Sequence, residues 1–298
     1  MTSTPSTKTS IFLMLGSVVL FAVNVLMIRA LNLYFPAADG WVASLFRGIV
    51  GLMVVGAMFH GRGLQISHLF TKPLLIIRGL IGGFGILALY ITVVHLGAGR
   101  SVIINLSYPM FGSLFAAIWL KEYLPLRSWL WMIAGFTGLV IFLGIDLHAG
   151  VNLYDLLGLA GAIAAGIVVV LIRQLRHTEH TATIYASQCF ASAMFAAWPA
   201  VGPTLSLPGN AVLLMALGAA IVAIAQLAMT HAYRTLSVAR GSSIQMLLPI
   251  LTAIGGYFFF QESFTAIELL GAVTTLFATW RIVMTRDRPQ PLPVTTCS

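Results

Sequence analysis

The sequence predicts an all-α integral membrane protein: ten transmembrane helices in two inverted five-helix repeats around a central cavity. Three observations lead there. The composition is too poor in charge for a water-facing surface, ten apolar stretches have spanning length, and the two halves match at a constant offset.

Of 298 residues, 59% are hydrophobic and 8% charged, and mean hydropathy is +0.97. Soluble domains carry about 25% charged residues, so the bilayer must be this chain's solvent. The net charge is +8. In a soluble protein that excess would point to nucleic acid, but here the basic residues stand one to three at a time between apolar stretches. They read as topological anchors, and no nucleic-acid partner is expected. Cys189 lies in an apolar stretch and Cys297 in the tail, a pair that makes neither a disulfide framework nor a metal site. The first ten residues are polar with one Lys8 and no cleavage pattern, so the first apolar segment is expected to remain as a helix.

A spanning helix needs about 20 largely apolar residues. Spans are read at 11–31, 41–59, 74–95, 100–120, 129–146, 154–173, 182–202, 211–232, 239–260 and 265–284. The breaks between them carry the polar and turn residues: Pro36 with Asp39, His60 to Lys72, Gly97 to Gly99, Lys121 to Ser128, Asp146 to Asn152, Arg176 to Thr181, Pro203 to Asn210, Tyr233 to Val238, and Gln261 to Phe264. With the N-terminus inside, thirteen of the sixteen basic residues fall on cytoplasmic segments or flanks, Arg78 among them; only Arg29, Arg47 and Arg100 fall elsewhere. The reverse orientation violates the positive-inside rule. Both termini are therefore expected in the cytoplasm, with an even number of spans.

The offset is 140 residues. Leu96, Arg100, Ile104, Pro109 and Glu122 coincide with Leu236, Arg240, Ile244, Pro249 and Glu262, and Asn105 falls on Gln245. The shift places span four on span nine, which cross the membrane in opposite directions, as odd five-helix repeats must. The repeats are read at 1–148 and 149–288, followed by a cytoplasmic tail at 289–298. Inverted repeats are a recurrent transporter architecture with the site near the midplane, so the expected task is moving a small solute.

These residues carry a family resemblance. The FAVN segment with Asn24, LFRG with Arg47, the two copies of arginine, mid-helix proline and terminal glutamate, and the glycines Gly135, Gly138 and Gly271 resemble the drug/metabolite transporter superfamily, EamA type. Within it they resemble the aromatic amino-acid exporters of the YddG kind. Phe21-Ala22 stands where relatives favour Trp-Gly. The resemblance covers essentially the whole chain, and it specifies the family well and the substrate poorly. It implies a ten-helix basket in a bacterial inner membrane, working by alternating access, with an amino acid (aromatic or large neutral) as cargo. A monomer is expected.

Polar side chains at membrane depth need partners and tend to face the bundle interior. Asn105 and Tyr108 sit beside Pro109 on one turn; Gln226 and Thr230 share a face of span eight; Asn24 lies deep in span one and Tyr90 in span three; Gln245 occupies the repeat position of Asn105. Together they form the candidate substrate-binding set, although each alone also fits an interhelical hydrogen bond. Pro109 and Pro249 are read as helix bends, since proline removes one backbone hydrogen bond. Arg47 is about six residues into its span, so its side chain is expected to reach the interface. Arg100 and Arg240 begin spans four and nine. His95 and His231 are read as interfacial.

All eight acidic residues lie near span ends or in loops, which argues against organic-cation export and against strict coupling through a buried carboxylate. GGFG at 82–85 and GAGR at 97–100 lack the Lys-Ser/Thr ending of a phosphate loop; Gly79 and Gly83, four apart, point to close helix packing. No HExxH, GxSxG or paired catalytic carboxylate occurs, so neither enzyme chemistry nor a cofactor is expected. A lipid-acting membrane enzyme and a transporter of another metabolite are the rival readings.

Overall fold

The computed structural model describes residues 7–35, 37–61, 63–96, 104–105, 107–122, 125–142, 152–260 and 265–284. Within them the chain is helical throughout, with no strand. The helices are α1 (Thr7–Tyr34), α2 (Gly40–Phe59), a short α3 (His68–Thr71), α4 (Pro73–Leu96), α5 (Tyr108–Trp119) and α6 (Leu126–Phe142). After residue 152 come α7 (Leu153–Leu175), α8 (Thr181–Leu205), α9 (Gly209–Ala232), α10 (Val238–Gln245), α11 (Leu248–Phe260) and α12 (Ala266–Met284).

Local chemistry sets several helix starts. Asp39 accepts the backbone N–H groups of Trp41 and Val42 at 2.9 and 3.0 Å and caps α2. Asn152 accepts from Tyr154 and Asp155, while the Asp155 carboxylate accepts the Asn152 N–H, a reciprocal capping box at the start of α7. Ser237 caps α10 through the N–H of Arg240. The stretch read as one span at 239–260 is two helices, broken at Met246 and Leu247. Pro249 supplies the reason: it has no N–H with which to continue the ladder from α10, and it is tolerated in the first turn of α11. Pro109 likewise sits in the first turn of α5. Each proline stands in the first turn of a described helix.

Five segments are long and apolar enough to cross a bilayer by themselves: Thr7–Ile28, Gly40–Phe59, Leu153–Leu175, Gly209–Ala232 and Val238–Phe259. Pro73–Leu89, Tyr108–Trp119 and Leu126–Phe142 are shorter apolar helices. Large apolar side chains also cover the outside, among them Phe12, Met53, Leu130, Trp198, Phe258 and Phe259. A water-soluble fold does not present such a surface; lipid accepts it. The chain is a multi-pass membrane protein.

Helices before residue 142 pack mainly on helices after residue 152. α1 lies on α9 and α11; α7 lies on α4 and α5; α2 contacts α8 and α9; α4 also contacts α8; α6 pairs with α12. The two stretches interlock. Because lipid offers no hydrophobic drive between helices, close backbone approach matters most. Gly48 and Gly51 of α2 stand against Ala193 and Cys189 of α8, Gly79 of α4 against the Ser187 carbonyl, and Gly83 against Ala191 and Phe195.

Candidate functional site

Two arginines turn into the bundle. Arg47, seven residues into α2, donates from Nη2 to the Gln226 side-chain oxygen on α9 at 3.2 Å. Arg78, on α4, is fully buried and donates from Nη2 to the Gln188 side-chain oxygen on α8 at 2.7 Å. Sequence reasoning sent the Arg47 side chain to the interface, whereas it turns to Gln226; Arg78, counted as a cytoplasmic flank, has its side chain inside the bundle. A long side chain near a helix end can turn either way, and acceptors on distant helices, Gln226 and Gln188, decide the direction here. The two helices that carry the arginines, α2 and α4, pack on the same helix, α8. The Tyr185 hydroxyl and the Cys189 thiol, beside Gly51, lie within the field of both arginines.

Asn24 and Arg47 line a cavity of about 20 Å³ with Met27, Leu214, Gly218 and Val222. That is room for about one water molecule. An amino acid enters only if the helices part. The Asn24 amide donates to the Gly218 carbonyl at 2.9 Å, so α1 and α9 are tied at this wall.

The candidate set divides. Asn24 and Gln226 converge on Arg47, and Thr230, one turn beyond Gln226, keeps a buried hydroxyl without a partner. Gln245 gives its amide to Ser17 and Met14 of α1, each at 3.3 Å. Ser17 and Asn24 are two turns apart on α1, ~10 Å along its axis. Tyr108 packs with Leu247 against Leu139 and Ile250, and Asn105 is half-buried just before it. Tyr90 lies in α4 and Pro249 in α11, with their side chains outside the described set; Arg100 and Glu262 lie outside the described residues. Sequence reasoning missed Arg78 and Gln188. An arginine inside an apolar run was the available signal, since intramembrane ionisable groups mark function by default.

One face of the bundle is bound together by charge. Glu122, just after α5, pairs with Arg173 near the end of α7 and accepts the N–H of Val238 at the start of α10. Arg173 also donates to the Tyr233 and Leu236 carbonyls. Glu179 and the His68 Nδ1 share a hydrogen bond at 2.9 Å, and Arg176 donates to the Glu179 carbonyl. Burial first, then the charges of Arg173, Arg176 and Arg234, hold the His177 imidazole below its ordinary value; burial and Arg176 do the same to His180. Among the described residues no group of three or more His, Cys, Asp or Glu side chains is placed to hold a metal.

A buried cationic centre with amide partners, inside interlocked apolar helices, suits a solute pathway. Family comparison agrees: residues 8–144 and again 152–284 match the EamA-like transporter family. The chain belongs to the EamA-like transporter family. Over 267 residues, 87% of this chain and 90% of theirs, it is 24% identical to the pseudopaline exporter CntI in two strains of Pseudomonas aeruginosa. A solved crystal structure shares the fold, with a TM-score of 0.76 over 94% of this chain and 97% of that one at 17% identity. The transporter assignment follows from the family match.

Proposed function

We propose that this transporter exports a small amino-acid metabolite, aromatic or large neutral side chains favoured, across a bacterial inner membrane by alternating access. In this reading residues 1–148 and 149–288 are inverted five-helix halves of a ten-span monomer with both termini in the cytoplasm. The carrying observation is reciprocity. Under the 140-residue shift α1 corresponds to α7, α2 to α8, α4 to α9, α5 to α11 and α6 to α12. The packing of α1 on α9 then repeats as α7 on α4, α1 on α11 as α7 on α5, and α2 on α9 as α8 on α4. Two family matches in one chain support the same reading.

A zwitterion suits the site: Arg47 and the amides of Asn24 and Gln226 offer polar handles beside Met27 and Val222, and Asn105, Tyr108, Thr230, Tyr90 and Gln245 supply further polar positions on neighbouring turns. The likeness to the pseudopaline exporter favours a second reading, in which the cargo is a secreted metabolite of that kind. Proteoliposome uptake with a labelled panel of amino acids and pseudopaline, with and without a pH gradient, separates the two. Selective uptake of aromatic or large neutral amino acids is the expected result. Uptake of pseudopaline alone transfers the assignment to the second reading, and no uptake of any compound defeats both.

A further inference from the structure

We propose that Arg47 and Arg78 together form a carboxylate-binding site within the membrane, and that the exported metabolite is held there by its carboxylate. The inference deepens the export reading and rests on it. The helices that carry the two arginines, α2 and α4, both pack on α8, at Gly48, Gly51 and Gly79, where there is no room for a side chain. The two arginines are thereby held on neighbouring helices against α8, Arg78 fully buried and Arg47 half-buried.

Each arginine has one neutral partner, a glutamine oxygen. A glutamine orients a guanidinium but leaves its charge uncompensated. Arg47 Nε, Arg78 Nε and Arg78 Nη1 are buried and donate to nothing among the described residues, and no described carboxylate pairs with either side chain. An arginine stays charged at any accessible pH. One such ion in low dielectric is costly, and a second on a helix packed against the same neighbour adds to the cost. A carboxylate removes the conflict: it accepts several hydrogen bonds at two oxygens, matches the planar fork of each guanidinium, and neutralises one charge. The Tyr185 hydroxyl, buried and in contact with the Cys189 thiol, is a further neutral polar group beside Gly51 of α2.

The test uses full-length protein in lipid nanodiscs, titrated with L-phenylalanine, its carboxyl amide, phenylpropionate and benzoate. The readouts are calorimetric binding and the heat-unfolding midpoint. The acids are expected to bind and raise the midpoint, with the amide at least about tenfold weaker. Arg47→Gln and Arg78→Gln should each erase the preference for acid over amide. Arg78→Gln should also raise the midpoint without ligand, because it removes an uncompensated buried charge; a purely structural arginine would lower it. Arg47 is only half-buried, so Arg47→Gln carries the binding test if Arg78→Gln does not fold. Equal binding of acid and amide, an acid preference that survives Arg47→Gln, or no stabilisation by any acid at millimolar concentration overturns the site. If acids bind through these arginines but none of the four probes nor any amino acid is moved in liposomes, the site stands and the export reading falls.

Discussion

Thr275 on α12 places its hydroxyl 3.1 Å from the carbonyl oxygen of Gly135 on α6 and 3.0 Å from that of Gly271, one proton facing two acceptors, and Thr275 and Gly135 stand 140 positions apart. Positions that correspond under the sequence offset thus touch. Beside them Gly138 and Gly271 meet backbone to backbone: a Cβ on Gly271 would lie 2.5 Å from the Gly138 carbonyl oxygen, and one on Gly138 would lie 2.8 Å from that of Gly271. At Gly271 the nearest atoms are all backbone, so no side chain can turn aside. Gly271→Ala is expected to lower the unfolding midpoint in detergent by more than Thr275→Val, which removes about 1 kcal/mol of hydrogen bonding. Gly16→Ala, where a Cβ meets nothing within 4 Å, should leave the midpoint unchanged or slightly raised. Equal effects of Gly271→Ala and Gly16→Ala would show that α6 and α12 do not pack this closely.

The Glu122–Arg173 pair is mostly buried, with side-chain exposures of 10% and 16%. Glu122→Gln should cost about 3 kcal/mol, because it leaves a buried cation without its counter-charge. The double variant Glu122→Gln/Arg173→Gln should be less destabilised than the sum of the singles. A double-mutant cycle measured by denaturation reads this coupling directly, and additive losses would mean that the pair contributes nothing as a pair.

His177 and His180 are held below the ordinary imidazole value, about 6.5, chiefly by burial. Their folded forms bind fewer protons than the unfolded chain does in the window beneath that value. Their contribution to stability is therefore intact above it and is lost as pH falls towards the depressed value. His180 has a structural reason as well: its Nδ1 accepts the Ala182 N–H and caps α8, which requires the neutral ring. The unfolding midpoint is expected to fall between neutral and mildly acid pH, and His180→Asn, which keeps a cap without a titrating proton, should flatten the slope. An unchanged slope in that variant assigns the pH response elsewhere.

Asn105 and Gln245 should answer mutation differently. Gln245 holds α10 to Ser17 and Met14, so Gln245→Leu is expected to lower thermal stability. Asn105 is half-buried, and a lost hydrogen bond to a charged ligand group is worth ~1.5–3 kcal/mol. Asn105→Leu should weaken substrate binding roughly ten- to a hundredfold with little change in midpoint. Unchanged affinity in a folded Asn105→Leu protein places the pocket away from span four.

Cys297 lies outside the described residues, and its side of the membrane can be read chemically. With both termini inside, an impermeant thiol reagent should label it only after the cells are opened. Labelling in intact cells reverses the topology.

Much of the architecture was legible because its causes are local. Apolar runs, the Asp39 and Asn152 caps and the prolines place most helix ends within a few residues of the positions read from sequence. The break inside 239–260 was harder: Pro249 marked it, but a bend and a break look alike until Met246 and Leu247 leave the ladder. The site was less legible. The inward turn of Arg47 depends on Gln226, 179 residues away, and that of Arg78 on Gln188, 110 residues away, and no periodicity in the chain records either distance. Asn24 and Gln226 were singled out because any polar group at depth is suspect; Gln188 was passed over because α8, with Thr181, Tyr185, Ser187 and Ser192, is polar along much of its length.

The interlocking of early and late helices has a consequence for biosynthesis. When α6 leaves the ribosome, the faces of α1, α2 and α4 still lack α7, α8 and α9, on which they come to rest. At ~5–20 residues per second the wait for the second half is roughly 7–30 s. During that interval the Arg78 guanidinium sits in a half-built bundle without Gln188. The insertion machinery, or the lipid headgroups at the membrane edge, must shelter that charge until α8 arrives, and a truncation after residue 148 would leave it there for good.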